Sequence, residues 1–252
     1  MEKDFTFKGY KSLLEELKKH YTFTSFSSVK YSHRKLDSKL ILRHDIDLSL
    51  EKAADMSELE NEMGISAVYF LFLRSPFYNL FSHKGEQLVK RIIKNNHYIG
   101  LHFDYSKYMN ITPAEVTHHI LQEIRFMEQF YSIKLDSVSF HRPFDVEFFQ
   151  KLELGLYPHA YETVFLNDFT YVSDSRGLWR YGHPMAQQAF KERKPLQILI
   201  HPIWWKKEGE DMDSFEKLKQ WKIENHESFQ DSLYNEMKGF WTANPQYNHL
   251  EL

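Results

Sequence analysis

The chain has 252 residues, a formal net charge of -3, an aromatic content of 16% and no cysteine. That length suits one large α/β domain, and near-balanced charges leave no electrostatic footprint for nucleic acid. Without cysteine there is no disulfide framework, thiolate metal site or cysteine nucleophile, so any metal has to be held by His, Asp or Glu.

Met1-Glu2-Lys3-Asp4 opens without an apolar signal core, and no apolar run approaches the roughly 20 residues that cross a bilayer. The expectation is a soluble, cytoplasmic protein with no membrane span. The aromatic side chains either fill a large core or line a site for sugar rings.

In chain order, Tyr10, Leu13, Leu14, Leu17 and Tyr21 form a helical stripe. Residues 22–31 alternate apolar and small polar residues and read as a short edge segment. Leu40-Ile41-Leu42-Arg43-His44-Asp45-Ile46-Asp47 is an apolar run ending in charge, the pattern of a buried strand with an acidic C-terminal end. Residues two apart on a strand share a face, so Arg43, Asp45 and Asp47 point one way and His44 and Ile46 the other. Two close carboxylates need a shared proton or a cation between them. An acidic helix cap with an ion pair to Arg43 is the alternative reading.

Ser49 caps a helix facing inward through Ala53, Met56, Leu59 and Met63 and closed by Gly64. The run 67–73 is a second buried strand, which completes a right-handed βαβ unit. A helix over about 84–95 and a strand over 98–104 follow. Thr112-Pro113-Ala114-Glu115 is a capping box with proline in the first turn. Ser137–Pro143 and Leu196–Pro202 read as further strands, with short strands near 160–175. An amphipathic helix starts near Asp213 and carries Phe229, Leu233, Met237 and Phe240 as a docking seam.

The polar groups collect at strand ends: Asp45 and Asp47, His102 and Asp104, His141 and Arg142, and His201. C-terminal strand ends in parallel α/β folds lie on one rim, so these groups are expected to converge. Imidazole and carboxylate together suit zinc or a similar borderline metal, with a position open for water.

His44-Asp45-Ile46-Asp47, Gly100-Leu101-His102, Arg142-Pro143, Asp174-Ser175 with Trp179, and Leu199-Ile200-His201-Pro202 occur in an order that resembles the polysaccharide deacetylase (NodB-like carbohydrate esterase) superfamily. The nearest likeness is to its divergent members in bacterial surface-polysaccharide assembly. The resemblance implies a distorted (β/α) barrel over about 40–203, with an N-terminal helical lead-in and a docked C-terminal helical extension over about 212–241, all in one deacetylase-like domain. It also implies a hydrolase that uses one divalent metal, expected to be zinc, to remove acetyl from an N-acetylated sugar attached to a nucleotide, lipid carrier or nascent glycan. By that likeness Asp45 is general base, Asp47 and His102 are metal ligands, and Arg142 orients Asp45. His201 is general acid tuned by Asp174, and Trp179 and Trp204 contact substrate.

The family's second motif carries another histidine four residues after the first, where this chain has Ser106. On strand-face grounds the third ligand is expected to be His141, with Asp104 as the alternative. His44 is expected to support the acidic pair from behind. His118, His119, His159, His183, His226 and His249 are read as surface or structural. Ser106 also leaves room for a catalytically silent carbohydrate binder, and similar barrels hydrolyse other carbon-nitrogen bonds.

Overall fold

The computed structural model describes residues 5–32, 35–108, 110–143 and 145–243, with side chains to residue 238. They form two compact units that divide between Asp211 and Met212.

In the first unit the lead-in is helix α1 (Phe7–His20), capped by Thr6 Oγ1, which accepts from Gly9 N–H at 3.1 Å. Strand β1 (Thr22–Thr24) follows, and the rest of the expected edge segment turns instead into a short helix, α2 (Phe26–Lys30). Ser25 caps α2 by accepting from Ser28 N–H, so a local side-chain bond overrides the alternating pattern.

Strand β2 (Lys39–Ile46) leads through α3 (Leu50–Glu62) to β3 (Val68–Leu71), then through α4 (His83–Lys94) to β4 (Tyr98–Asp104). Helix α5 (Pro113–Tyr131) begins with the expected capping box and ends at β5 (Val138–His141). Two one-turn helices, α6 (Val146–Gln150) and α7 (Thr163–Asn167), precede β6 (Thr170–Ser173). The short strands expected near 160–175 therefore reduce to β6, with α7 before it. Helix α8 (Gln188–Lys191) precedes β7 (Leu196–Ile200).

All these strands are parallel in one 7-stranded sheet, ordered β5-β4-β3-β2-β7-β6, with β1 paired to the start of β2. The sheet curls into a half-barrel ringed by helices. Among the described residues β5 and β6 do not pair. The chain around His159 covers the free edge of β5, with Val138 N–H donating to Pro158 and Ala160 N–H to Val138.

The sheet separates two apolar clusters. Leu40, Leu42, Ile46 and Tyr69 pack outward against the helices. Ile41, Val68 and Phe70 pack inward with Phe26 and Phe165 and plug the lower end of the half-barrel. Along the inner face of β2 the side chains thus run from apolar Ile41 at the plug to Arg43, Asp45 and then Asp47 at the rim. Gly100 lets β4 approach closely: a Cβ there would lie 2.5 Å from the Phe70 ring.

The second unit contains helix α9 (Ser214–Ala243). Asp213 Oδ1 caps it, accepting from Phe215 and Glu216 N–H. Of the expected seam, Phe229 is 65% and Leu233 52% exposed, and the side chain of Phe240 lies outside the described residues. No helix among the described residues is long and apolar enough to cross a membrane.

Candidate active site

Adjacent parallel strands in register present matched residues on the same face. His102 pairs with Ser139 and Asp104 with His141 across β4 and β5, while Asp45 pairs with Phe70 across β2 and β3. The inner face therefore gathers Asp47, His102 and His141 at one rim.

His102 Nε2 lies 3.1 Å and His141 Nδ1 3.2 Å from Asp47 Oδ1, and the two ring nitrogens are 3.3 Å apart. All three ligand atoms fall within 4.8 Å of one another, a group able to hold a metal ion. Asp47 Oδ1 is buried yet makes no well-angled hydrogen bond. A buried carboxylate oxygen left unsatisfied while two imidazole nitrogens crowd it is what a cation-binding set requires, and the donor set fits a borderline divalent cation. Burial alone would raise the Asp47 carboxyl. His102, His141 and the nearby His201 outweigh it and hold the group well below the usual carboxylate range.

The likeness implied that Arg142 orients Asp45, but Arg43 takes that place. Arg43 Nη2 and Nε donate to Asp45 Oδ2 and Oδ1 at 2.7 and 3.2 Å, and Nη1 donates to Gln197 Oε1 at 3.1 Å. Two residues on one strand face reach each other without help from another loop, and a guanidinium fork matches a carboxylate bidentately. Burial would raise Asp45, and the Arg43 charge overrides it, keeping the carboxyl low. Arg142 is exposed instead, with its backbone at φ 51°.

On the other side of Asp47, His201 Nε2 lies 4.0 Å from Asp47 Oδ2. Its Nδ1 is 2.7 Å from Asp174 Oδ1, and its backbone N–H donates to the same carboxylate at 3.0 Å. Trp205 Nε1 donates to Asp174 Oδ2 at 2.8 Å, which fixes the carboxylate from behind. Burial would lower the His201 imidazole, but the charge and hydrogen bond of Asp174, with Asp47 and Asp45, lift it to about 9.

No family model matches this chain, and no curated protein matches it. Solved structures do. A family 4 carbohydrate esterase from Bacillus anthracis is 13% identical with a TM-score of 0.45, over 86% of each chain. The Xyl-CE4 domain of a multidomain xylanase, from the hindgut metagenome of Trinervitermes trinervoides, is 13% identical with a TM-score of 0.43, over 77% of this chain and 83% of that one. A CE4 family pseudoenzyme from Bacillus anthracis is 12% identical with a TM-score of 0.41, over 75% of this chain and 60% of that one.

The remaining expected site residues divide. Asp104 lines the same cavity as the metal-ligand group but lies outside that group. Its Oδ1 accepts from Ser106 N–H at 3.0 Å and Ser106 Oγ at 2.6 Å, so the strand ends in a turn that holds one oxygen of this carboxylate. Trp204 lines the 930 Å³ cavity above the rim, and its indole N–H has no partner. Trp179 does not line that cavity. It stacks on Phe5 and borders a separate 360 Å³ cavity. His44 turns away from the acidic pair toward Glu60 on the opposite face of β2, with Nε2 2.8 Å from Oε1.

Among the other histidines, His159 is buried beside Leu152 and His183 caps a turn through Met185 N–H. His118 and His119 ride on α5 and His226 on α9, whereas His249 lies outside the described residues. Sequence reasoning missed Ser139, whose Oγ lies 2.6 Å from His102 Nδ1 and leaves Nε2 to face Asp47. Its signal was available, since it sits two residues before His141 on the same strand face. It also missed Ser75, whose Oγ donates to Asp47 O at 3.3 Å.

Proposed function

We propose that this protein is a metal-dependent N-deacetylase of an acetamido sugar, a member of the polysaccharide deacetylase superfamily working in bacterial surface-polysaccharide assembly in the cytoplasm. The observation that carries the reading is convergence: Asp47, His102 and His141 form one ligand group flanked by the Arg43–Asp45 pair and the His201–Asp174 pair. The motif order along the chain supports the same family.

Asp47, His102 and His141 would hold the metal, with zinc favoured by two imidazoles and one carboxylate. When bound, a divalent cation supplies Lewis-acid polarisation of the acetamide carbonyl. Arg43 keeps Asp45 ionised and aimed, so Asp45 can take a proton from the attacking water as general base. Asp174 keeps His201 protonated and fixes its ring through Nδ1, which leaves Nε2–H to donate to the departing amine nitrogen. Water adds across the amide carbonyl, the carbon-nitrogen bond breaks, and acetate and the free amino sugar leave. Trp204, which lines the cavity, would offer its ring to the sugar.

A catalytically silent carbohydrate binder is the competing reading, resting on Ser106 in place of the second motif histidine. His141 restores the donor count that Ser106 lacks, which favours the enzyme. Metal analysis of the purified protein, with acetate release from a panel of acetamido sugars, tests this. Near-stoichiometric metal lost in Asp47→Ala, together with acetate release, supports the deacetylase. A metal-free protein whose sugar binding ignores a chelator supports the silent binder, and release from a cyclic or other non-sugar amide alone moves the chemistry to a different carbon-nitrogen bond.

A further inference from the structure

The three residues of the ligand group are not held alike. His102 lies within β4 and His141 ends β5, and both belong to the paired stretch of those strands. Asp47 does not. Strand β2 ends at Ile46, whose pairing with Leu71 is the last in register with β3, and the pairing with β7 stops at His44. The sheet thus delivers Asp47 to the rim without fixing the backbone that carries it, and a carboxylate serves as a fixed ligand only when that backbone is held.

The loop between β3 and α4, residues 72–82, supplies the restraint. Tyr78 OH donates to Ile46 O at 2.5 Å and accepts from Phe72 N–H at 2.9 Å, so one hydroxyl bridges β2 and β3 just past their last paired residues. Ser75 Oγ donates to Asp47 O at 3.3 Å and accepts from Phe77 N–H at 3.1 Å. Ile46 O belongs to the peptide before Asp47 and Asp47 O to the peptide after it. Both peptides that flank the ligand are therefore anchored to one loop. The loop is closed on itself by Ser75 N–H, which donates to Phe72 O at 3.1 Å, and tied to α5 by Tyr131 OH, which donates to Leu80 O at 2.5 Å.

The same loop backs the two histidines. The Phe72 ring centroid lies 4.9 Å from that of His141 and 5.8 Å from that of His102. The Tyr78 ring packs on the outer apolar cluster. Burial raises its phenol well above the ordinary range, although the Phe72 N–H opposes the rise, so the hydroxyl keeps the proton it donates. Phe72, Arg74, Pro76 and Phe77 line the main cavity, whereas Tyr78 and Ser75 do not. Any effect of these two hydroxyls on the site has to pass through Asp47.

We propose that Tyr78, assisted by Ser75, is a positioning residue of the metal site: by holding the peptides on either side of Asp47, it sets the direction from which Asp47 Oδ1 meets His102 and His141. This role presupposes that the Asp47–His102–His141 group binds a metal, and it is independent of which carbon-nitrogen bond is hydrolysed.

Cobalt(II) titrated into the chelator-treated whole chain tests it. Affinity is read by competition with a chelator, and geometry by the visible absorption of the bound ion, whose bands shift with coordination number and symmetry. Tyr78→Phe keeps the ring and removes both hydrogen bonds. It should weaken cobalt binding at least tenfold, the lower end of what is lost with an orienting partner, and change the visible spectrum. Ser75→Ala should act in the same direction by a smaller factor. Tyr131→Phe is the control, because it removes a phenol bond to a carbonyl of the same loop without bonding to either peptide of Asp47. It should lower the melting temperature about as much as Tyr78→Phe and leave cobalt affinity and spectrum unchanged.

Wild-type affinity and spectrum in Tyr78→Phe overturn the role and leave the ligand group standing. An equal loss of cobalt binding in Tyr131→Phe also overturns it, since the effect is then a general loosening of the loop. A wild type that takes up no cobalt removes the ligand group and the role of Tyr78 with it. Should Tyr78→Phe fail to fold, Ser75→Ala decides alone, and unchanged cobalt binding there overturns the proposal.

Discussion

The two faces of β2 carry the same residue types and do different work. His44 and Asp45 are neighbours, but one enters a sealed cluster and the other an open cavity. Behind the strand, Glu60 is fully buried; it accepts from Tyr69 OH at 2.8 Å and from Tyr10 OH, and His44 Nε2 lies 2.8 Å away. In front, Asp47 also lies among histidines, yet its Oδ1 has no well-formed hydrogen bond. The rear carboxylate has both oxygens hydrogen-bonded by tyrosine hydroxyls, although the two His44 ring nitrogens beside it make no well-formed bond, whereas in front it is the carboxylate oxygen itself that lacks one. Histidine beside carboxylate is therefore no mark of a site. A carboxylate oxygen with two imidazole nitrogens converging on it and no hydrogen bond, on a residue that lines a cavity, is the better one.

The largest expected difference between the faces is in turnover. Asp45→Asn removes the proposed base while Arg43 and the Asp47–His102–His141 group remain, so acetate release should fall by about 10²–10⁴-fold with metal content unchanged. Glu60→Gln, one strand thickness away, should change kcat/KM by less than about tenfold. Equal losses in the two variants would erase the distinction between the faces, and undiminished turnover in Asp45→Asn would remove Asp45 from its role.

Stability should show the reverse ranking. Burial would raise Glu60, and the His44 charge outweighs it, so the carboxylate stays ionised inside the protein. Removing the carboxylate leaves the Tyr10 and Tyr69 hydroxyls buried without their acceptor, at about 1–3 kcal/mol for each unsatisfied group. Glu60→Ala should therefore lower the unfolding free energy by about that amount in a denaturant titration. A loss below about 1 kcal/mol would mean that the cluster relaxes, and that the rear face is no more rigid than the front.

Much of the front face was legible because each inner strand is an apolar run that stops in a polar group, and parallel strands deliver their stops to one rim. Strand-face parity placed His102 and His141 on the face where both meet Asp47. Parity also admitted Asp104, and there it could not decide, because the last residue of a strand is free to turn and Ser106 holds one of its carboxylate oxygens. Arg142 was assigned by motif likeness, whereas the bond to Asp45 is made by Arg43 within the same strand. The alternative reading of an Arg43 ion pair held the correct partner. One-turn helices such as α2 and α7 are shorter than any periodicity can mark, and they depend on local caps and packing. The rear cluster escaped notice because Tyr10, Glu60 and His97 come from separate elements and meet only through the fold.

A smaller effect sharpens the front face itself. Ser139 Oγ holds His102 Nδ1, and losing such an orienting partner costs metal affinity about 10–100-fold. Ser139→Ala should weaken metal binding by that factor in a chelator competition, whereas Ser106→Ala, which touches only Asp104, should stay within about twofold. If Ser106→Ala has the larger effect, the ligand group is drawn wrongly and Asp104 belongs in it.

The smallest expected effect belongs to the rear face and reads out with pH. His97 Nδ1 accepts from Ala67 N–H at 3.1 Å, and Nε2 lies 2.9 Å from Ser57 O, so the ring is neutral with its proton on Nε2. Burial lowers its proton affinity, and the attraction of Glu60, whose Oε2 is 3.6 Å from Nδ1, only partly offsets this. A histidine with a folded pKa below its unfolded value of about 6.5 binds protons preferentially in the unfolded chain. Its contribution to stability is then fully present above about pH 6.5 and is lost as pH falls through the folded value. Each tenfold difference in proton affinity is worth about 1.4 kcal/mol. Denaturant midpoints measured between pH 7.5 and 5 should fall in the wild type and fall less steeply in His97→Gln, which can keep a donor toward Ser57 and cannot be charged. An equal slope in both proteins would place the acid sensitivity elsewhere, with His159, also buried and lowered by burial, as the next residue to replace.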